Sequence, residues 1–121
     1  MPGITEQTIE HINTLNPIEK TALSQFVTQV KTKLGKENLQ LFLFGSKARG
    51  DFDKESDLDL LIIVSDKVNL SDTKKIIRNI AGDISLHYAI LIINVIVSNF
   101  EFTYKSDYSF FDIIRSEGIP L

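Results

Sequence analysis

No cysteine occurs in the chain. Disulfides are thereby excluded, as is any zinc site built on thiolates, and a reducing cytoplasm is the expected location. Positive charge is also short. Thirteen Lys and Arg against sixteen Asp and Glu leave a formal net charge of −3. A strongly basic face is the usual footprint of a nucleic-acid binder, so no general nucleic-acid binding is expected. A local basic patch still suffices for one nucleotide. Long apolar runs are missing too. The longest, Ala89 to Val97, is interrupted by Asn94 and is about half the ~20 residues that cross a bilayer. It reads as a buried strand, and no membrane association is expected. The start, Met1-Pro2-Gly3-Ile4-Thr5-Glu6, has neither the basic opening nor the apolar run of a signal peptide. Repeats, low-complexity tracts and linkers rich in Pro, Gly or Ser are also lacking.

What is present is one domain's worth of ordinary globular sequence: 121 residues, 43% hydrophobic and 24% charged. That length holds one core, not a catalytic domain plus a separate substrate domain. Ile4, Ile9, Ile12 and Leu15 recur at roughly helical spacing, which predicts a short first helix. Asn16-Pro17-Ile18-Glu19 predicts the start of a second, with Asn16 as cap, Pro17 in the first turn and Glu19 completing a capping box. Ile18, Ala22, Phe26, Val30 and Leu34 form its apolar stripe, with Leu23 and Val27 beside it, and Gly35 ends it.

Leu39 to Phe44 reads as a strand broken by Gly45, with a short helix opening near Ser46. Asp51 to Ser56 is polar and turn-like. Leu58 to Val64 reads as a strand buried on both faces. The two strands are either antiparallel neighbours or joined through the helix at Ser46. A helix starting at Ser71 or Asp72 turns Ile76, Ile77, Ile80 and Ile84 inward. Ala89 to Val97 is the third strand. Ser98 and Glu101 box a short helical turn, and a last helix runs from about Asp107 to Glu117, stopped by Gly118 and Pro120. The expected fold is α/β (α+β), a small mixed β-sheet flanked by helices. Residues 1–121 form one domain: N-terminal helices over 1–35, a sheet core over 39–97 and a helical tail over 98–121.

Asp57 and Asp59 stand two apart at the head of a strand, so their side chains share a face. Two carboxylates there suit the hard oxygen-ligand demand of Mg²⁺, as one ion or two. In isolation an Asp-x-Asp is more often the end of a loop, where Asp is common. The second piece raises its weight. Leu41-Phe42-Leu43-Phe44 runs into Gly45-Ser46, where a small residue permits close approach of a phosphate and a helix start offers free N–H groups. Lys47 and Arg49 add positive charge. The turn is not a Walker A loop: Gly45 and Gly50 have the four-residue gap, but Asp51 stands where the lysine must be. Ten residues separate Ser46 from Asp57. A phosphate cradle beside a metal pair is what phosphoryl or nucleotidyl transfer needs.

Gly45-Ser46-Lys47-Ala48-Arg49-Gly50-Asp51 followed by Ser56-Asp57-Leu58-Asp59 resembles the DNA polymerase β-like nucleotidyltransferase superfamily. The likeness is closest to its minimal nucleotidyltransferases, small prokaryotic proteins encoded beside HEPN-domain partners. It is strong from Leu41 to Val64 and weaker over Phe110 to Ile119. The resemblance implies a nucleotidyltransferase-like fold in which Gly45 and Ser46, with Lys47 and Arg49 near, hold the triphosphate of ATP or another NTP. It also implies that Asp57 and Asp59 are the catalytic carboxylates and bind Mg²⁺. A nucleoside monophosphate, with AMP from ATP expected, would pass to an acceptor hydroxyl, which in the antitoxin members is a tyrosine on the HEPN toxin.

The pattern also departs from that family, whose next sheet strand usually carries a third acidic residue. Tyr88 to Val97 has none, and Ala89 falls roughly where it is expected. Asn94 is the only strongly polar side chain in the run and is expected to hydrogen-bond within the core. Asp83 and Glu101 only flank the strand. His11 and His87 are isolated and read as surface residues. Lys74, Lys75 and Arg78 read as a solvated helix face. Phe100, Phe102, Tyr104, Tyr108, Phe110 and Phe111 are more aromatics than one short helix buries, which points to a partner surface. Three functions follow. The first is transfer to a protein partner, HEPN-type or a second copy of the chain. The second is a catalytically weakened module that acts by binding a partner. The third, ranked last, is a stand-alone enzyme for a small molecule.

Overall fold

The computed structural model describes residues 8–50, 57–105 and 109–121. The expectations for Ile4, for Asp51 to Ser56, for Asp107 and for Tyr108 lie outside the described residues. Residues 8–10 are helical, and Ile9, Ile12 and Leu15 are buried. Helix α1 spans Pro17–Leu34. Its start is the expected capping box: Asn16 Oδ1 accepts from Glu19 N at 2.8 Å, and Glu19 Oε1 accepts from Asn16 N at 2.9 Å. Ala22, Leu23, Phe26, Val27 and Val30 are buried as read, but Ile18 is 57% exposed and Glu19 is buried in its place. The stripe therefore starts one turn later than expected, and the inward position in the first turn belongs to a carboxylate.

A 3-10 turn at Lys36–Asn38 leads into β1, Leu39–Phe44. The four-residue helix α2, Ser46–Arg49, follows, then β2, Leu58–Val64. Helix α3 spans Leu70–Tyr88, β3 Ile92–Ser98, α4 Asn99–Tyr104, α5 Ser109–Glu117 and β4 Ile119–Pro120. The sheet order is β3-β2-β1-β4. β1 runs antiparallel to both β2 and β4, and β2 runs parallel to β3, so the sheet is mixed as expected. The two-residue β4 was not foreseen: a Gly-Ile-Pro stretch reads as a stop signal, and its pairing with Phe42 and Leu43 is a tertiary event.

Alternation along the strands separates two cores. Leu39, Leu41, Leu43, Leu58, Leu60, Ile62 and Val64 pack with α1 and α3, together with Ile92 and Ile96. Leu61, Ile63 and Val97 pack with Phe111 and Ile114 of α5 on the opposite face, with Phe42, Phe44, Val95, Phe102 and Phe110 at the margin. All of β2 except Asp59 is buried, as its unbroken apolar run requires.

Two boundaries move. Helix α3 begins at Leu70, capped by Asn69, whose side chain accepts from Asp72 N at 2.9 Å. Its buried stripe is Thr73, Ile77, Ala81 and Ile84, and Ile76 and Ile80 are only partly covered. At its far end the helix runs to Tyr88, and Ala89 is its C-cap in the left-handed region at φ 55°. Ala89 therefore belongs to no strand, and the third strand starts three residues later than read. An alanine at positive φ costs roughly 1–2 kcal/mol that glycine does not. Ala89→Gly should raise stability by about 1 kcal/mol in urea unfolding. An unchanged or lower midpoint would show that the cap is not strained. At the other end of β3, Ser98 Oγ accepts from Glu101 N at 3.1 Å, opening α4 as expected.

Candidate active site

The site forms where β1 ends and β2 begins, because the antiparallel register puts those two ends side by side. Phe44 is the ladder partner of Asp59, and Leu43 is the partner of Leu60. Leu60 faces α1 and α3, so Asp59 faces the α5 side, and the two-residue spacing gives Asp57 that side too. The chain leaves β1 through Gly45 at φ 77°, ψ −158°, a conformation that is essentially glycine-only. A Cβ built on Gly45 would lie 2.5 Å from Asp59 Oδ2. The missing side chain is what lets the turn close against the acid.

Charge at this point is consistent with close approach. Burial pushes the Asp59 carboxyl above its usual range, the neighbouring Asp57 carboxylate pushes it further, and the Arg49 guanidinium partly offsets both. Asp57, Asp59 and Arg49 therefore share one electrostatic neighbourhood, next to Gly45 and Ser46. Arg49 also lies 3.9 Å from Glu117 of α5, a loose pair at the surface. Phe44 and Phe110 meet edge to face at 5.2 Å on the same side of the sheet.

Lys47 is not brought to this group. Its side chain is 2% exposed and its Nζ lies 2.7 Å from Glu19 Oε2. Adjacent residues on one helical turn point in different directions, and here Lys47 turns toward α1. The sequence carried a faint signal: a glutamate completing a capping box has a second oxygen to place.

The structure also answers where a third group would stand. Asp59 pairs in register with Ile93 of β3, so a hydrocarbon occupies the neighbouring position on its face. Ala89, expected roughly there, caps a helix instead. Asn94 pairs with Leu60 and so shares the opposite face, and its Oδ1 is buried without a hydrogen-bond partner among the described residues. Asn94 was expected to hydrogen-bond within the core, and no donor to this oxygen is seen among the described residues. No cluster of three His, Cys, Asp or Glu able to hold a metal occurs among the described residues. Two carboxylates do fit a hard divalent cation of the Mg²⁺ type, which commonly takes one or two from the protein and completes its shell with water and substrate phosphate. His11 and His87 are exposed, as read.

Residues 23–116 match the nucleotidyltransferase domain family. The chain belongs to that family. It is 39% identical over 99 residues to a protein of Methanocaldococcus jannaschii named "Putative protein adenylyltransferase", covering 82% of this chain and 94% of that protein. A second so-named protein of the same organism is 32% identical over 100 residues, covering 83% and 94%. A third is 33% identical over 85 residues, covering 69% and 58%. The fold is similar to a crystal structure described as that of a putative nucleotidyltransferase from Sulfolobus solfataricus. There the TM-score is 0.52 at 18% identity, over 83% of this chain and 79% of that one. Among the described residues, no helix of this nucleotidyltransferase domain is long and apolar enough to cross a membrane.

Proposed function

We propose that this nucleotidyltransferase domain moves AMP from ATP to a hydroxyl group on a protein partner. The observation that carries this reading is the contact between Gly45 and Asp59, which sets a backbone turn able to receive polyphosphate directly against an acid able to bind a cation. The relatives named as protein adenylyltransferases favour adenylate and a protein acceptor.

In this reading Gly45 and Ser46 hold the triphosphate through backbone N–H groups and the Ser46 hydroxyl. Arg49 lies beside them, and Lys47 is a structural residue rather than a phosphate ligand. Asp57 and Asp59 would hold Mg²⁺. When bound, the ion supplies neutralisation of the charge that builds on the phosphate chain. The acceptor oxygen bonds to the α-phosphorus, the bridge from the α-phosphorus to the β-phosphate breaks, pyrophosphate leaves with its electron pair, and the hydroxyl proton passes to solvent. The chain's own contribution is orientation and electrostatics.

The partner we favour is a helical HEPN-type protein presenting a tyrosine, which would make the pair a toxin–antitoxin system in the cytoplasm. Phe100 and Tyr104 of α4, 59% and 72% exposed with tilted rings 5.0 Å apart, offer a surface for such a partner. A second reading, a weakened module that acts by docking alone, is favoured by Ile93, which leaves Asp59 without an acidic neighbour on β3. One experiment separates them: the chain, its genomic neighbour, Mg²⁺ and ATP labelled at the α-phosphate. Label on the neighbour that vanishes in Asp57→Ala and Asp59→Ala supports transfer. Tight association without label, unchanged by those substitutions, supports docking and sinks the enzymatic reading.

A further inference from the structure

Helix α2 is a single turn, closed by bonds from Ala48 N and Arg49 N to Gly45 O, both 3.1 Å, and from Gly50 N to Ser46 O at 2.8 Å. One turn does not hold itself, because fixing its dihedrals costs more than so few hydrogen bonds return. Its orientation must come from outside, and residues 14–19 supply contacts that do this. The Thr14 hydroxyl donates to Lys47 O. A Cβ on Gly50 would lie 3.5 Å from Thr14 Cγ2. Most telling is Glu19, whose two oxygens have separate duties. Oε1 accepts from Asn16 N at 2.9 Å and closes the start of α1, while Oε2 meets the Lys47 ammonium at 2.7 Å. The exposures of these two side chains are 7% and 2%.

Burying two charges is a poor way to gain stability, since an apolar pair of the same volume does as well or better. The best-attested use of such a pair is to specify one arrangement among several. The arrangement specified here is that of α2, whose preceding glycine touches Asp59. We propose that the buried Glu19–Lys47 ion pair is a positioning element for the Gly45–Ser46 turn, coupling the grip on triphosphate to the docking of α1. Glu19 and Lys47 are positioning residues and touch no substrate. The proposal rests on the reading of that turn as the triphosphate site.

The test uses Lys47→Met, Glu19→Gln and the double variant E19Q/K47M. The double variant removes both charges and guards against misfolding from a lone buried carboxylate. Two quantities are read well below unfolding: amide exchange at Ala48, Arg49 and Gly50, and binding of magnesium ATP by calorimetry. Glutamine has one acceptor oxygen where glutamate uses two, so it can serve Asn16 N or Lys47 but not both, and Glu19→Gln should move both quantities in the same direction as Lys47→Met. Lys47→Met and the double variant should each speed exchange at these amides by about tenfold relative to β2 and weaken ATP binding by a similar factor. The double variant should be no worse than Lys47→Met, as expected for two groups acting as one.

Weakened binding with unchanged exchange would mean that Lys47 reaches the phosphates directly, and would overturn the proposal. So would a fall in melting temperature with exchange and affinity both unmoved, the mark of a merely structural pair. Faster exchange without weaker ATP binding would overturn it as well. A wild-type chain that binds no magnesium ATP would end the reading of the turn as a nucleotide site. Exchange at residues 48–50 would then still decide whether the pair orders it.

Discussion

Asp59→Asn should lower nucleotidyl transfer by about a thousandfold or more while making the metal-free chain more stable near neutral pH. The loss follows from removing one of two carboxylates that would hold the cation, whose stabilisation of transition-state charge is worth several kcal/mol, or roughly 10³ in rate. The gain follows from the folded state itself. Burial first, and the Asp57 charge second, raise the Asp59 carboxyl above its ordinary range, against the smaller pull of Arg49. With the folded value above the unfolded one, the native state holds a proton that the unfolded chain has already released. Stability contributed by this group therefore falls as pH rises through that window, and the cost persists above it. Asparagine carries no such cost. Urea midpoints in the presence of a chelator should favour the variant at pH 7 and converge with wild type once pH drops below the ordinary carboxylate range. Added Mg²⁺ should narrow the gap at pH 7 by stabilising only the wild type. A variant less stable than wild type at neutral pH would mean that Asp59 is not held against its charge, and the close approach to Gly45 would lose its meaning.

Gly45→Ala should damage both the fold and the site. At φ 77° and ψ −158° a side chain is strained whatever the space around it, at a cost of order 1–3 kcal/mol. The added methyl would also stand 2.5 Å from Asp59 Oδ2, so either the turn or the carboxylate must move. A shift of even about 1 Å at a reacting centre costs on the order of a hundredfold in rate. Transfer is therefore expected to fall at least that far, with magnesium ATP binding weakened alongside it. Gly35→Ala is the control: it is also at positive φ, at 88°, but beside Glu37 and away from the acids. It should destabilise comparably and leave the remaining folded protein's affinity intact. Equal effects on affinity from both substitutions would show that the loss at Gly45 is global unfolding rather than a displaced turn.

What could be read from residues alone was local. The capping box at Asn16 and Glu19, the apolar run of β2 and the glycine that ends β1 each announce themselves within a few positions, and each is where it was expected. The boundary of β3 was misplaced because Ala89 to Ile93 is apolar throughout. Periodicity does not separate the last turn of a buried helix from the first residues of a buried strand, and an alanine at the cap sends no signal. Ile18 and Glu19 exchanged places for a different reason. Hydrophobic patterning assigns the isoleucine inward, but the glutamate has a buried lysine to meet, nearly thirty residues away in the chain. That same distant pairing holds the Lys47 side chain toward α1. In the candidate site, Gly45, Asp57, Asp59 and Arg49 were legible because their chemistry depends on residue type and spacing. Ile93 was not, because its place beside Asp59 depends on strand register, which no local pattern encodes.

The end of β1 and the start of β2 are held side by side by the Phe44–Asp59 rung of a backbone ladder. The two halves behave like facing jaws fixed to one rigid frame. Their alignment lasts for as long as the frame persists.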